Sequence, residues 1–445
     1  MFQELHDLLG PQGCLTGADV PEAARSDGSR SGQVLPLALL RPATVEQVSE
    51  ALAICHRHGQ KVVVQGGMTG LAGGANALGG EVALSLSRLS GVEEIDTVQG
   101  VMVLRAGTVL EAAQRAAEAA GFLLPIDLGA RGSCQIGGNI ATNAGGLRVI
   151  RHGTTRENVL GLEVVQADGT VLSHLNRGVK DNTGYDLRHL FAGSEGTLGV
   201  ITRAVLRLRP LPAAPETALC ALEDFDAVIR LLQMAQRNVT VAAFEVMWRD
   251  YFALSQSLTG KTLFADVPPF AVILEAEGGG LQPLLEAAFE EGVICDALVA
   301  QSTAEARDFW AVREGHALDA ALKGLINLDV SLPVARMADY AEDVTAGVLA
   351  QFPGSHVSFF GHVGDSNLHV AIAVPDPDHQ KEQAVDRIAY DAVRARAGSI
   401  SAEHGIGTLK RDWLGHSRSP AELAAMRAIK AALDPKGILN PGKVI

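Results

Sequence analysis

The clearest chemical signal in the chain is a pair of histidines around a turn, in GHVGDSNLHV at residues 361–370. If Gly364, Asp365, Ser366 and Asn367 form a four-residue hairpin loop, Val363 faces Leu368 and His362 faces His369 across the ladder. Directly opposed residues share a sheet face with Cβ atoms about 5 Å apart, so two imidazoles could share one metal ion. A carboxylate from elsewhere would complete a site of two nitrogens and one oxygen. Three protein ligands leave one position open for substrate, as in catalytic Zn²⁺ sites, and the ligand types also admit Mn²⁺ or Fe²⁺. A lone histidine is more often satisfied by ordinary hydrogen bonds. Two at this spacing, with a third beside a glutamate in SAEHGIG at 401–407, favour a metal site.

Two glycine-rich stretches supply a second kind of chemistry. Gly66-Gly67-Met68-Thr69-Gly70-Leu71-Ala72-Gly73-Gly74 follows an apolar run, and Pro125 to Gly146 reads PIDLGARGSCQIGGNIATNAGG. Successive glycines let backbone N–H groups converge on an anion without Cβ interference. One such loop is as well explained by tight turns, whereas two in the same half of the chain point to the diphosphate of a dinucleotide. The G-x-G-x-x-G fingerprint of nicotinamide enzymes is absent; Gly193 to Gly199 has a different spacing.

Elements that could position these groups alternate along the chain. Thr44 and Gln47 form a capping box opening a helix through about Arg57, with Gly59 as its stop, and Lys61–Val64 reads as a buried strand. Thr108 and Glu111 repeat the capping signal before an Ala-rich helix ending at Gly121, and Leu162 to Leu172 reads as a hairpin around Asp168-Gly169. Pro210, Pro212 and Pro215 mark a domain boundary, since that stretch continues neither a helix nor a central strand. Beyond it, helical patterns at Phe225–Arg237 and Asp339–Gln351 alternate with strand-like runs at Phe270–Glu275 and His356–Phe360, and helix returns around Pro420–Leu433.

A chain of 445 residues is long enough for two or three domains and a buried ligand. Its net charge of -14 repels phosphate backbones, which argues against a nucleic-acid partner. Cys14, Cys55, Cys134, Cys220 and Cys295 are scattered, and an odd count leaves one over, so reduced and mostly buried thiols are expected. The first residues carry acids and break at Gly10-Pro11, unlike a signal peptide, and no run approaches the ~20 apolar residues of a membrane span. A cytoplasmic location is the default expectation, with peripheral membrane contact and a homodimer left open.

VVVQGGMTGLAGGA, LGARGSCQIGGNIATNAGG and LFAGSEGTLGVIT resemble the FAD-binding domain of the vanillyl-alcohol oxidase (FAD-binding PCMH-type) superfamily, over nearly the whole chain. The resemblance implies an α+β protein. A FAD-binding domain of two α/β subdomains would span 1–210, and an antiparallel-sheet substrate domain with helices on one side would span 211–400. A C-terminal helical segment, 401–445, would complete the active site and pack back on the FAD domain. The cofactor residues it implies are Gly66, Gly67, Thr69, Gly70, Pro125, Asp127, Gly132, Ser133, Gly137, Gly138, Thr142, Asn143, Gly145, Gly146, Glu195, Gly199, Ile201 and Asn440. Some relatives attach flavin through His or Cys. The first loop has neither, so non-covalent FAD is expected, with Cys134 and His152 leaving attachment open.

The two histidine motifs narrow the resemblance to FAD-dependent D-2-hydroxyacid dehydrogenases, the group of D-2-hydroxyglutarate dehydrogenase, D-lactate dehydrogenase and glycolate oxidase. It implies His362, His369 and Glu403 as metal ligands, most simply of zinc, His404 as base and substrate contact, and Asn367 steadying substrate or a ligand. A divalent cation would stabilise the forming alkoxide, and an imidazole, titrating near ~6.5 when unperturbed, could take the proton as hydride passes from Cα to flavin N5. Adjacent side chains such as Glu403 and His404 point to opposite faces of a strand, so Glu403–Gly407 must bend, with Gly405 and Gly407 permitting it. FWAVRE, 309–314, resembles the segment whose arginine grips the substrate carboxylate, here Arg313. Ala317 and Asn327 stand where the hydroxyglutarate pattern has threonine and lysine, with Asp329 and Ser331-Leu332-Pro333 kept. Both missing groups would address a distal carboxylate. D-lactate is then as well supported as D-2-hydroxyglutarate or D-malate, unless Lys323 or His316 substitutes. Electrons would pass to a quinone, a cytochrome or an electron-transfer flavoprotein. An oxygen-using alcohol or sugar oxidase of the same superfamily, and a non-catalytic flavin- or metal-binding protein, are the alternatives.

Overall fold

The computed structural model describes residues 1–315 and 318–445, so Ala317 and His316 lie outside the described residues. The chain is α+β and forms two compact units: Met1–Gly146, His152–Leu211 and Glu403–Ile445 make the first, Leu147–Arg151 and Pro212–Ala402 the second. They part within the proline-rich stretch.

The first unit holds two larger sheets. One runs in the order Cys14–Thr16, Ala38–Leu40, Val82–Ser85, Val62–Gln65, with an antiparallel first pair and parallel pairing thereafter. Parallel neighbours need a crossover. Helix Val45–His58 precedes Val62–Gln65; Thr44 accepts from Gln47 N at 3.2 Å, and Gly59 at φ 65 ends the helix. Its Val48, Ala51, Leu52 and Cys55 are buried at spacings of three and four, as one helical face requires. The other sheet is antiparallel, in the order Val92–Asp96, Val101–Arg105, Val200–Arg207, Val159–Val165, Val171–His174. Its last pair is the expected hairpin, with Gly169 at φ 93. At Val45–His58 the Gln47 side chain accepts from Ala43 N at 2.8 Å in place of the Thr44 amide, so the reciprocal half of that capping box is shifted by one residue. The capping box expected at Thr108 and Glu111 does not form. Helix Leu110–Ala119 has no side-chain cap, because Thr108 Oγ1 accepts from Gly91 N at 2.9 Å and donates to Arg105 O at 2.6 Å.

The C-terminal segment is tied to the first sheet. Helix Pro420–Leu433 opens with a capping box between Ser419 and Glu422, with proline in its first turn. Beyond it, Val62 N donates to Ile438 O at 2.8 Å and Asn440 N to Val62 O at 2.9 Å. The Asn440 side chain accepts from Val64 N at 2.8 Å and donates to Glu195 O at 2.6 Å.

The second unit is one antiparallel sheet in the order Asp296–Val299, Glu216–Leu222, Phe270–Glu277, Thr240–Trp248, His356–Gly361, Asn367–Ala373, Ile326–Ser331. Alternation assigns its two faces. Helices Phe225–Asn238 and Met337–Gln351 pack on one, where Phe225 and Tyr340 meet Trp248, Phe270 and Phe359. Helices Leu281–Glu290 and His379–Ala395 pack beside those two. Helices Arg249–Thr259 and Thr303–Glu314 lie over part of the opposite face, where Tyr251 stacks on Phe360 at 4.1 Å. No described helix is long and apolar enough to cross a membrane. The five cysteines are free thiols, all buried except Cys295.

Two substitutions test the C-terminal tie. Asn440→Ala leaves the Val64 amide without its acceptor and should lower stability by about 1–3 kcal/mol in denaturant unfolding. Lys443 is 1 % exposed, and burial holds its amine down to about 8, outweighing the opposite pull of Glu81 and Asp27. The folded state therefore binds fewer protons than the unfolded chain between about pH 8 and 10.5, and stability gains with pH across that window. Lys443→Met should raise the unfolding midpoint at pH 7 and much less at pH 10; an equal gain at both would contradict the charge penalty.

Candidate active site

A cavity open to solvent lies in the first unit among the glycine stretches. Gly66, Gly67, Thr69, Gly70, Gly137, Gly138, Thr142, Glu195, Gly199, Ile201 and Asn440 border it, as does His404. Close packing, which only glycine permits at some of these positions, shapes the wall. A Cβ on Gly67 would sit 2.2 Å from Ser133 O, and one on Gly137 2.7 Å from Ala106 Cβ. At Gly138 a Cβ would meet nothing within 4 Å.

Pro125, Asp127, Gly132, Ser133, Asn143, Gly145 and Gly146 are not among the bordering residues. Asn143 sits at φ 48 and accepts from Arg156 N at 2.8 Å, and Asp127 pairs with Arg131 at 3.1 Å. Gly145 makes room for Glu403, whose Oε1 would lie 2.8 Å from a Cβ there. Cys134 borders the cavity as a buried thiol that burial pushes up, which disfavours a thiolate nucleophile. Sequence reasoning missed Asp27, Gln65, Gln135 and Asn139 in the wall. Asp27 arrives from an irregular segment, held by a bond from its amide to Asn76 Oδ1 at 2.7 Å, which no local pattern signals. Gln135 Oε1 and Asn139 Oδ1 are buried without a hydrogen-bond partner among the described residues. Such acceptors are costly unless a ligand or water uses them, so the wall fits a polar cofactor.

The segment carrying Glu403 and His404 bends as expected. It is not a strand, Gly405 and Gly407 have φ 81 and 50, and Glu195 accepts from the amides of Ile406 at 2.7 Å and Gly407 at 2.8 Å. Burial raises the Glu195 pKa, while those two amides and Lys410 act against the rise.

In the second unit the hairpin register differs from the expected one. Phe360, not His362, is the ladder partner of His369. A 3₁₀ turn at Val363–Asp365 ends at Ser366 in the left-handed region, φ 74, and Gly361 lets the strands close where a Cβ would lie 2.6 Å from Asn367 O. The register is shifted by two residues, which preserves the sheet face. His362 leaves the ladder, yet its ring stands 5.3 Å from that of His369. Asn367, His369 and their partners Ser331 and Asp329 share this face, with the exposed Asn327 next along the strand. Both polar side-chain atoms of the buried Asn367 lack hydrogen-bond partners among the described residues, as suits a residue that contacts a ligand.

Glu245 was not singled out by any motif. It is 1 % exposed and meets His362 Nδ1 at 2.6 Å and Arg313 Nε at 2.7 Å. Burial alone would raise its pKa, but the charges and hydrogen bonds of His362 and Arg313 hold it down to about 2. The Arg313 guanidinium lies 4.8 Å from the Phe360 ring centroid. Beside this group, Glu275 accepts from Trp310 Nε1 at 2.7 Å and Thr217 Oγ1 at 3.0 Å and pairs with Arg148. Asp329, fully buried, accepts from Ala402 N at 2.9 Å.

The chain matches the family described as FAD linked oxidases, C-terminal domain, over residues 211–444, and that described as FAD binding domain over 36–174. It is 39% identical to the mitochondrial D-2-hydroxyglutarate dehydrogenase of Bos taurus, across 98% of this chain and 81% of that one. It is 38% identical to the D-2-hydroxyglutarate dehydrogenase of Xanthomonas citri pv. viticola, across 96% of this chain and 93% of that one. Among solved structures, p-cresol methylhydroxylase with substrate bound has the same fold, with a TM-score of 0.79 at 17% identity, covering 100% of this chain and 96% of that one. The chain thus belongs to the FAD-linked oxidase family, with the vanillyl-alcohol oxidase type of FAD-binding fold, and within it to the FAD-dependent D-2-hydroxyacid dehydrogenases.

Gly138→Leu would place a side chain at the open position in the cavity wall. The purified variant should carry several-fold less FAD while unfolding close to the wild-type apoprotein; full flavin content would show that the cavity is not the cofactor's.

Proposed function

We propose that this protein oxidises a D-2-hydroxy acid to the 2-keto acid, and that D-2-hydroxyglutarate, the substrate in its relatives' names, heads the substrates to test. D-lactate and D-malate follow, because Asn327 offers an amide where the hydroxyglutarate pattern has a lysine. The observation that carries the reading is His404, the base candidate, in the wall of the glycine-lined cavity. The first unit would hold FAD and the second the substrate.

Bound FAD supplies the acceptor for the hydride leaving the substrate Cα. A divalent cation, most simply zinc, on His362, His369 and Glu403 supplies Lewis acidity toward the substrate hydroxyl. Support for that ligand set within the second unit is the pair of neighbouring imidazoles and the bond from Ala402 N to Asp329, the ladder partner of His369. Glu403 is one peptide bond further on, a Cα step of about 3.8 Å. Arg313 has the planar donors to bind the substrate carboxylate, and Asn367 presents an unsatisfied amide on the His369 face. His404 takes the hydroxyl proton, a contribution of typically ~10²–10⁴-fold. With no nicotinamide fingerprint, the electrons leave to a quinone, a cytochrome or an electron-transfer flavoprotein.

Anaerobic bleaching of the flavin band by a panel of D- and L-hydroxy acids tests the reading. A D acid should bleach the wild type, while His404→Ala should slow bleaching by about 10²-fold or more. Chelation should do the same, with recovery on adding zinc. Fast bleaching by the fully chelated protein would rule out cation assistance, and no bleaching by any D acid would rule out the substrate class.

A further inference from the structure

We propose that Glu245 is a positioning residue that sets the cation ligand His362 and the substrate-gripping Arg313 in one register; this rests on the ligand set proposed above. Its carboxylate is 1 % exposed and divides its two oxygens between them. Oε1 meets His362 Nδ1 at 2.6 Å, and Oε2 meets Arg313 Nε at 2.7 Å.

Each contact has a directional consequence. A carboxylate beside Nδ1 selects the tautomer with its proton there, which turns the lone pair of Nε2 outward as the ligand atom and makes it more basic. Holding Arg313 through Nε fixes the plane of the guanidinium, and the Phe360 ring 4.8 Å from Cζ supports it. The fork of N–H groups beyond Nε then has one orientation. A hydroxy acid needs its hydroxyl at the cation and its carboxylate at the guanidinium simultaneously. Because a single side chain anchors both, the separation of those subsites depends on one rigid group. Glu245 itself is locked in the ladder, with Val246 paired to Gly361 and Met247 to Phe360, so its strand adjoins the one leading to His362.

The contrast with Glu275 sharpens the assignment. Two residues along the paired strand, Glu275 is also buried and lies beside an arginine, but its partners are Trp310, Thr217 and Arg148, none of which is a ligand or substrate candidate. Glu275 provides a structural comparison of similar burial.

The test uses the full-length FAD-loaded enzyme, stripped of metal and titrated with zinc by calorimetry, with KM and kcat measured on the best D acid. Glu245→Gln should weaken zinc by roughly 10–100-fold, the usual cost of losing a partner of a metal-bound histidine, and raise KM as well. Glu245→Asp should recover part of both. Arg313→Lys should raise KM and leave zinc affinity within about twofold. Cobalt in place of zinc should show shifted visible bands in Glu245→Gln and wild-type bands in Arg313→Lys. Glu275→Gln controls for lost buried charge and should leave zinc affinity unchanged. FAD content and the unfolding midpoint identify any variant that has failed to fold, in which case Glu245→Asp decides. Tight zinc binding by both wild type and Glu245→Gln would overturn the coupling alone. A wild type that binds no zinc would overturn the ligand set, and this inference with it.

Discussion

Much of the first unit hangs on Glu195. Its carboxylate accepts two successive amides of the loop that carries His404, and its carbonyl accepts the Asn440 side chain. The residue stands in the left-handed region, φ 51, a conformation that costs energy without glycine and persists only when the surroundings over-determine it. Its bonds hold a segment more than 200 residues away against the glycine loops. Deprived of them, two backbone N–H groups and a buried carboxylate would lack partners together, a larger penalty than any single contact provides as gain. Lys430 reinforces the same region, bonding Thr197 O at 2.7 Å and Leu439 O at 2.9 Å.

The second unit solves a different electrostatic problem. Its sheet buries Glu245, Glu275 and Asp329 on a face that also carries histidines. Isolated buried carboxylates would be expelled or neutralised; each here is tied to cationic, N–H or O–H donors. Such groups are weak sources of net stability, and replacing a buried ion pair with apolar residues is often neutral or stabilising. Their value lies in fixed direction. Glu245 aims two side chains, and Asp329 anchors Ala402 immediately before Glu403.

The regular elements were legible because their signals are local. The helix from Val45 ends on Gly59, the hairpin turns at Asp168-Gly169, and the helix from Pro420 starts on a capping box. Thr108 and Glu111 carry the same pattern without forming a cap, because Gly91, distant in sequence, competes for the threonine hydroxyl. A hydrogen-bond pattern in sequence states what a side chain can do, and the neighbour in space decides whether it does so. Similarly, a count of residues around a four-residue loop at 364–367 predicted His362 opposite His369. A 3₁₀ turn and the close approach at Gly361 moved the register by two, and the rings stayed neighbours because an even shift retains the face.

By itself, the sequence determined the chemistry on offer: two imidazoles around a turn, a Glu-His pair that must bend, and glycine runs that let backbone approach an anion. These follow from residue type and short spacing, which the covalent chain conveys directly. Tertiary structure alone decided which glycines border a cavity and which merely permit packing, as Gly138 and Gly145 show. It alone brought Glu245 to His362, across 117 positions of sequence, and Glu195 to the amides of Ile406 and Gly407. A buried carboxylate has no sequence signature of its own, since its identity as a positioning group comes from the donors that the fold delivers to it.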